Sequence, residues 1–171
     1  FPKEKAKGPF IVATIGLVGS VRSTVAKKIV ESVPGAVSIQ PNSARKLIYE
    51  DFKSYDLKWG ENIRQLLKYA ASRFLSEGYG VVFDGNAADE EDRENIRQIA
   101  EQSDARIFYI RINIVPEIAK EREKKRYDDP NWISSFDDYR VNMTEKMLKN
   151  IDDRAELHRN LKASDIPGVG A

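Results

Sequence analysis

Residues 16–24 of the chain read GLVGSVRST and follow directly on an apolar run. Loops of the form G-x-x-x-x-G-K-[S/T] wrap phosphate groups with backbone N–H groups, while the lysine adds charge and the next hydroxyl binds Mg²⁺. Gly16 and Gly19 suit the wrap, and Ser23 stands at the hydroxyl position. The predicted phosphate-binding loop comprises Gly16, Leu17, Val18, Gly19, Ser20, Val21, Arg22, Ser23 and Thr24.

Two positions of this loop depart from the motif. Val21 replaces the second glycine, and a valine forced to a positive φ costs about 1–3 kcal/mol. Arg22 replaces the lysine; it keeps the charge on a longer, fork-shaped side chain. We expect weaker or displaced triphosphate binding. The alternative is an ordinary strand-to-helix turn that contains two glycines.

An apolar strand that ends in a carboxylate forms the second element. Val81-Val82-Phe83-Asp84 resembles the strand whose aspartate faces the loop hydroxyl across Mg²⁺. Ser23 and Asp84 are therefore the predicted metal ligands. The alternative for Asp84 is a turn residue, since many strands end in aspartate.

Two further basic groups are candidates for substrate contacts. Arg45 follows the second predicted strand, where the ligand crevice of an open α/β sheet lies, so it could hold an acceptor or be a solvated residue of a capped helix. Arg122 and Arg126 are four residues apart on one helix face. They could close over transferring phosphates or belong to an exposed charged helix.

The only histidine, His158, has no neighbouring histidine or cysteine, so we expect a solvated helix residue and not a metal ligand. The chain contains no cysteine, which excludes disulfides and thiolate chemistry.

Strand and helix patterns alternate along the chain, which predicts an α/β fold with a parallel sheet. Residues 51–60 are expected to form a loop. Strands are predicted at Pro9–Ile15, Ala36–Gln40, Tyr79–Phe83 and Arg106–Ile114, and helices at Ser23–Val33, Asn42–Glu50, Glu61–Glu77 and Asp89–Gln102, from Pro116 onwards, and within Phe136–Leu161.

A chain of 171 residues with a net charge of +1 predicts one domain and no general attraction to nucleic acid or membranes. We expect a loose basic leader over residues 1–8 and a single domain over 9–171. The apolar run at 10–18 is too short to span a bilayer, and no signal peptide is evident, so a cytoplasmic location without a membrane partner is the expectation. The oligomeric state stays open.

The order of these motifs resembles the zeta-toxin and polynucleotide-kinase-like branch of the P-loop kinases, which carry an AAA-type ATP-binding domain. The resemblance implies a three-layer α/β/α fold with strand order 2-3-1-4 and binding of ATP and Mg²⁺. By resemblance, Arg45 would contact the acceptor, and Arg122 and Arg126 would be lid arginines in a lid region at about 117–140.

Three features depart from that family. Asn42 stands where a general-base aspartate is usual, and an amide cannot accept the proton of the acceptor hydroxyl. The loop carries Val21 and Arg22. Residues 163–171 make a poor strand where a fifth strand is usual.

The resulting expectation is an ATP-dependent phosphotransferase that moves the γ-phosphoryl group to a hydroxyl of a nucleotide, a nucleic-acid end or a sugar. Its expected partners are a nucleotide and that acceptor, and the expected catalytic residues are Arg22, Asn42, Arg45, Arg122 and Arg126. The alternatives are a pseudokinase that binds a nucleotide or a partner, and a disabled variant of an active kinase.

Overall fold

The computed structural model describes residues 4–41, 43–44, 57–128 and 140–162. Their elements are the strands β1 (Phe10–Ile15), β2 (Ala36–Ile39), β3 (Gly80–Phe83) and β4 (Arg106–Arg111), and the helices α1 (Arg22–Ser32), α2 (Leu57–Ser76), α3 (Glu90–Gln102), α4 (Pro116–Asp128) and α5 (Arg140–Asn160).

The four strands form one parallel sheet in the order β2-β3-β1-β4. β1 lies inside it, with Ile11 paired to Val81 of β3 and to Ile107 of β4. A strand covered on both faces needs an unbroken apolar sequence, and FIVATI supplies one. The predicted α/β class and strand order are confirmed.

Alternate residues of β1 enter two separate cores. Ile11, Ala13 and Ile15 point into the larger core, on the face that α2 and α3 cover. Val12 points to the opposite face, where it packs with Ala26 of α1. Helices therefore cover both faces, and the carboxyl ends of all four strands share one edge.

Two predicted boundaries were wrong by more than one residue. β4 ends at Arg111 and not at Ile114, because its neighbour β1 stops at Ile15 and only the Ile112 N–H still reaches a β1 carbonyl. Residues 57–60, expected to be a loop, form the first turn of α2. One glycine in a helix costs only about 1 kcal/mol, so Gly60 does not interrupt a helix of 20 residues.

At the other edge of the sheet, the described part of the leader contacts the domain. The Ala6 N–H donates to the Gly78 carbonyl at 3.0 Å, and the Lys5 ammonium lies 3.6 Å from the Tyr79 ring centroid.

Residues 129–139 of the predicted lid and the weak strand at 163–171 lie outside the described residues. Among the helices that are described, none is long and apolar enough to cross a membrane.

Candidate functional site: the turn between β1 and α1

The predicted phosphate-binding loop connects β1 to α1 at the carboxyl edge of the sheet. β1 ends at Ile15 and α1 begins at Arg22. Between them the Ser20 N–H donates to the Leu17 carbonyl at 3.1 Å, which closes a tight turn. Gly19 has a φ of +79°, which glycine adopts without strain.

Val21 has a φ of 62° and a ψ of 26°, the left-handed conformation that the motif reserves for glycine. The turn thus keeps the backbone shape of the motif although the side chain disfavours it. That conformation costs a β-branched residue about 1–3 kcal/mol. The side chain of Val21 is 43% exposed, so little burial offsets this cost.

The first turn of α1 presents unpaired backbone donors. Val21 precedes the helix and makes no side-chain cap, and the first helical bond in this region runs from the Val25 N–H to the Val21 carbonyl. Among the described residues, the N–H groups of Arg22, Ser23 and Thr24 have no hydrogen-bond partner. Amides at a helix N-terminus together with the helix dipole attract anions.

Ser23 and Asp84 lie together, as predicted. The Ser23 hydroxyl donates to Asp84 Oδ1 at 3.1 Å. Because β1 and β3 are parallel neighbours in register, the residue after β3 meets the first turn of α1. Among the described residues no cluster of three or more His, Cys, Asp or Glu side chains could hold a metal, so this pair offers one hydroxyl and one carboxylate.

The side chains of Asn86 and Thr14 form hydrogen bonds at the start of the turn and at the end of β3. The Gly16 N–H donates to Asn86 Oδ1 at 3.2 Å. The fully buried Thr14 hydroxyl donates to the carbonyls of Gly85 at 2.9 Å and Phe83 at 3.3 Å. Neither side chain is among the site residues predicted from the sequence; the only signal was the position of Asn86 just after Asp84-Gly85.

Arg22 turns inward among charged groups. Burial lowers the pKa of its guanidinium, nearby Arg154 and Arg126 lower it further, and Asp84 and Glu123 oppose them. One guanidinium nitrogen, Nη1, is buried without a hydrogen-bond partner. A buried donor left unpaired is costly, so this position attracts an acceptor such as a phosphate oxygen.

Helix α4 packs directly on the turn. A Cβ on Gly19 would lie 2.7 Å from the Ala119 carbonyl oxygen, so only glycine permits this approach. Arg122 donates from Nη1 to the Gly19 carbonyl at 3.3 Å. Of the two predicted lid arginines, Arg122 therefore contacts the loop.

The second predicted lid arginine, Arg126, is paired within its own helix. Its Nη1 lies 2.7 Å from Oε1 of Glu123, which is 2% exposed. Burial raises the pKa of Glu123, against the attraction of Arg126 and Arg22. The run of charges in α4 gave no sign that one carboxylate is buried.

Helix α5 adds two groups that sequence analysis missed or misjudged. Arg154 donates to Asp89 Oδ2 at 2.8 Å and is among the charges that act on Arg22. The expectation of a solvated His158 was wrong, since this side chain is 7% exposed. Burial, together with the positive charges of Arg22, Arg154 and Arg111, lowers the His158 pKa to about 4.

The two residues predicted at the end of β2, Asn42 and Arg45, lie outside the described residues. Beside them the chain turns helical, since the Ala44 N–H donates to the Gln40 carbonyl at 3.1 Å.

Comparison with known proteins agrees with this geometry. Residues 11–157 match the model of an AAA domain family, AAA_33. No curated protein matches the chain.

Solved structures share the fold at low identity. A chain of the Pnkp1/Rnl/Hen1 RNA repair complex superposes with a TM-score of 0.60 at 16% identity, over 87% of this chain and 46% of that one. The Mycobacterium tuberculosis APS kinase CysC superposes with a TM-score of 0.56 at 19% identity, over 70% of each chain. This chain thus spans less than half the length of the RNA repair protein that it matches. Since the family match covers most of the chain, the protein belongs to this AAA domain family. The observed strand order is the one expected of a P-loop kinase, so the protein has a P-loop kinase-like, nucleotide-binding fold.

Proposed function

We propose that the protein is an ATP-dependent phosphotransferase that moves the γ-phosphoryl group of ATP to the hydroxyl of a second substrate. The observation that carries the proposal is the set of unpaired donors around the Ser23–Asp84 pair. It consists of the three N–H groups at the start of α1 and the buried Nη1 of Arg22. Each donor needs an acceptor, and a polyphosphate supplies several in one ligand.

The hydrogen-bond donors of the turn suit the phosphates of ATP, and the oxygen atoms of Ser23 and Asp84 suit Mg²⁺. In this proposal residues 16–24 hold the phosphates, and Ser23 and Asp84 hold the metal, which would neutralise charge on the phosphate oxygens. Two protein donors suffice for a magnesium ion that keeps several waters and phosphate oxygens as ligands.

Basic side chains supply the remaining stabilisation. Arg22 offers guanidinium donors from the lysine position of the motif, and Arg122 offers them from α4. We assign Arg126, together with Arg122, to a lid formed by α4, and we assign Arg45 to binding of the acceptor substrate. Phosphoryl transfer proceeds through a loose transition state, so positioned positive charge is the main contribution that a protein makes.

The test is calorimetric titration with ATP and Mg²⁺ of the parent protein, Ser23→Ala and Asp84→Asn. Ser32→Ala, at the exposed far end of α1, is the matched control. We expect the parent and the control to bind. Both site variants should lose about tenfold or more in affinity when Mg²⁺ is present and much less when EDTA removes it. Equal affinity in all four proteins would contradict the proposed site.

Arg22 is tested by Arg22→Lys and Arg22→Ala. Lysine should keep part of the affinity because it keeps the charge, whereas alanine should remove most of it. Transfer is then measured with γ-labelled ATP against a nucleoside, a 5′-hydroxyl oligonucleotide and a sugar. Transfer to any of them in the parent, lost in Arg22→Ala, supports the proposal.

A second candidate function is nucleotide binding without transfer. It is favoured by Asn42 in place of a carboxylate base and by the strained Val21. Binding of ATP in the parent without phosphoryl transfer to any acceptor would favour this candidate.

A further inference from the structure

A cavity of about 420 Å³ opens between α2 and α3 at the carboxyl edge of the sheet, a size typical of ligand sites. Its wall includes Ile63 and Leu67 from α2 and Ile96 from α3. Polar residues from the strand ends and from the helices line the rest. Asn86 is one of them, and it also holds the first amide of the phosphate-binding turn.

The described cations that line this cavity already have partners within the protein. Arg64 pairs with Glu61 at 2.8 Å, and Arg154 pairs with Asp89 at 2.8 Å. The third, Lys68, donates to the Gln98 side chain at 3.2 Å. The two guanidinium groups are thus paired with carboxylates, whereas the partner of Lys68 is a neutral amide that leaves its charge uncompensated. Against these three cations the described lining carries four carboxylates, those of Glu61, Asp89, Glu91 and Asp92.

Two carboxylates on the wall, those of Glu91 and Asp92, lack such a partner among the described residues, and Asp92 is the more buried of the two. Asp92 of α3 is half-buried, and among the described residues it makes no hydrogen bond or ion pair. Burial raises its pKa, and the like charges of Asp89 and Glu91 raise it further, while the positive charges of Arg64 and Arg154 oppose them. Asn95, one helical turn along, adds an amide to the same wall. The cavity therefore offers hydrogen-bond acceptors and negative charge to the ligand that it would bind.

The cavity is also connected to the phosphate-binding turn. Arg154 lines it and at the same time acts electrostatically on Arg22. Thr14 lines it from the end of β1, immediately before the turn.

We propose that this cavity binds the acceptor substrate and that the acceptor is a hydroxyl compound with a protonated amine; this inference rests on the proposed phosphotransferase function. The ammonium group pairs with Asp92, and the hydroxyl faces the phosphates. In the transfer, the acceptor oxygen forms a bond to the γ-phosphorus as the bond to the β–γ bridging oxygen breaks. ADP leaves with that electron pair, and the hydroxyl proton passes to water.

The test uses three probes on one sugar scaffold: glucosamine, glucose and glucose 6-phosphate. Binding at neutral pH is followed by chemical shifts in the NMR spectrum of the whole protein. We expect glucosamine to bind tightest, about tenfold better than glucose and about a hundredfold better than glucose 6-phosphate. One favourable charge distinguishes glucosamine from glucose, and one unfavourable charge distinguishes glucose 6-phosphate from glucose. A preference for the phosphate, equal affinities, or no binding of any probe would overturn the inference.

Two variants assign the preference to Asp92. Asp92→Asn should reduce glucosamine affinity about tenfold, to the level of glucose, and Asp92→Lys should reverse the order of the charged probes. Glu101→Gln, exposed on the same helix and outside the cavity, is the matched control and should change nothing. An unchanged preference in a folded Asp92→Asn protein would refute the assignment.

ATP binding on the same samples separates the two proposals. If ATP binds and Arg22→Ala abolishes it, but the probes show no amine preference, then only the acceptor inference fails. If the amine preference holds and ATP does not bind, then the phosphotransferase proposal fails, and with it the role of the cavity as an acceptor site.

Discussion

At the residue scale, Val21 shows how a sequence departure can leave the backbone unchanged. The motif has glycine at this position, and the structure has a left-handed residue there, with valine in place of glycine. The conformation is imposed by the turn on one side and by α1 on the other. This strain lowers the free energy of unfolding, because Val21 can leave the left-handed conformation when the chain unfolds.

We predict that Val21→Gly stabilises the protein by about 1 kcal/mol. Relief of about 1–3 kcal/mol of strain outweighs the 0.5–1 kcal/mol or so of entropy that glycine loses on folding. Chemical denaturation measures the free energy of unfolding. Val33→Gly is the control, because Val33 follows the same helix, is 36% exposed and has a φ of −110°. It should be destabilising; stabilisation by both variants would mean that strain is not the cause.

At the element scale, the turn between β1 and α1 contacts two helices. α1 supplies unpaired amides next to the turn, and α4 approaches Gly19 closely. The Arg122 bond to the Gly19 carbonyl adds a polar contact to this packing. Movement of α4 would thus alter the turn directly, as the proposed lid role of α4 requires.

We predict that Gly19→Ala is more destabilising than Gly78→Ala. Both glycines have a similar positive φ, +79° and +84°, so both variants lose about 1 kcal/mol through strain. At Gly78 the added Cβ meets only the Lys5 side chain, at 3.9 Å, whereas at Gly19 it meets the Ala119 carbonyl at 2.7 Å. We expect a further 1–3 kcal/mol or so from this overpacking, measured by thermal and chemical unfolding. Equal losses would show that α4 shifts freely.

At the scale of the whole molecule, α5 links the turn to the core. Ile151 packs with Leu17 and Ala119, and Leu161 enters the core beneath α2 and α3. From the edge strand, Arg111 donates to the Leu161 carbonyl at 2.6 Å and to the His158 carbonyl. His158 is thereby held in a buried, positively charged region.

We predict that His158 lowers the stability of the protein in acid. Its folded pKa of about 4 lies below the ordinary 6.5. The unfolded state therefore binds more protons between these pH values, and up to about 3 kcal/mol of stability, fully present above pH 6.5, is lost as pH falls towards 4. The raised pKa values of Glu123 and Asp92 act in the opposite direction.

The measurement is the free energy of unfolding of the parent and of His158→Gln across this pH range. Because the variant keeps Glu123 and Asp92, the difference between the two proteins isolates the imidazole. The difference should shrink as the pH falls, with the parent losing its advantage. A difference independent of pH would mean that His158 is accessible to water and titrates normally.

Much of the fold was predictable because local patterns determine it. The apolar runs of β1 and β3, the glycines and Ser23 of the turn, and the carboxylate of Asp84 predicted the parallel sheet and the Ser23–Asp84 contact. The strand order came from the resemblance of these motifs to the P-loop kinases. The helix start at Leu57 and the end of β4 at Arg111 were not predictable. Both boundaries depend on which backbone groups of the neighbouring elements are available for contact or pairing, and a single sequence does not show this.

The sequence by itself determined the family, the parallel sheet and the turn with its hydroxyl and carboxylate, because these follow from residue types at short spacings. The tertiary structure alone decided which charged residues are buried. Arg154, Glu123, Asp92 and His158 look like ordinary residues of charged helices. They acquire their properties only when α3, α4 and α5 pack against the turn, since burial and opposing charges come from parts of the chain far apart in sequence.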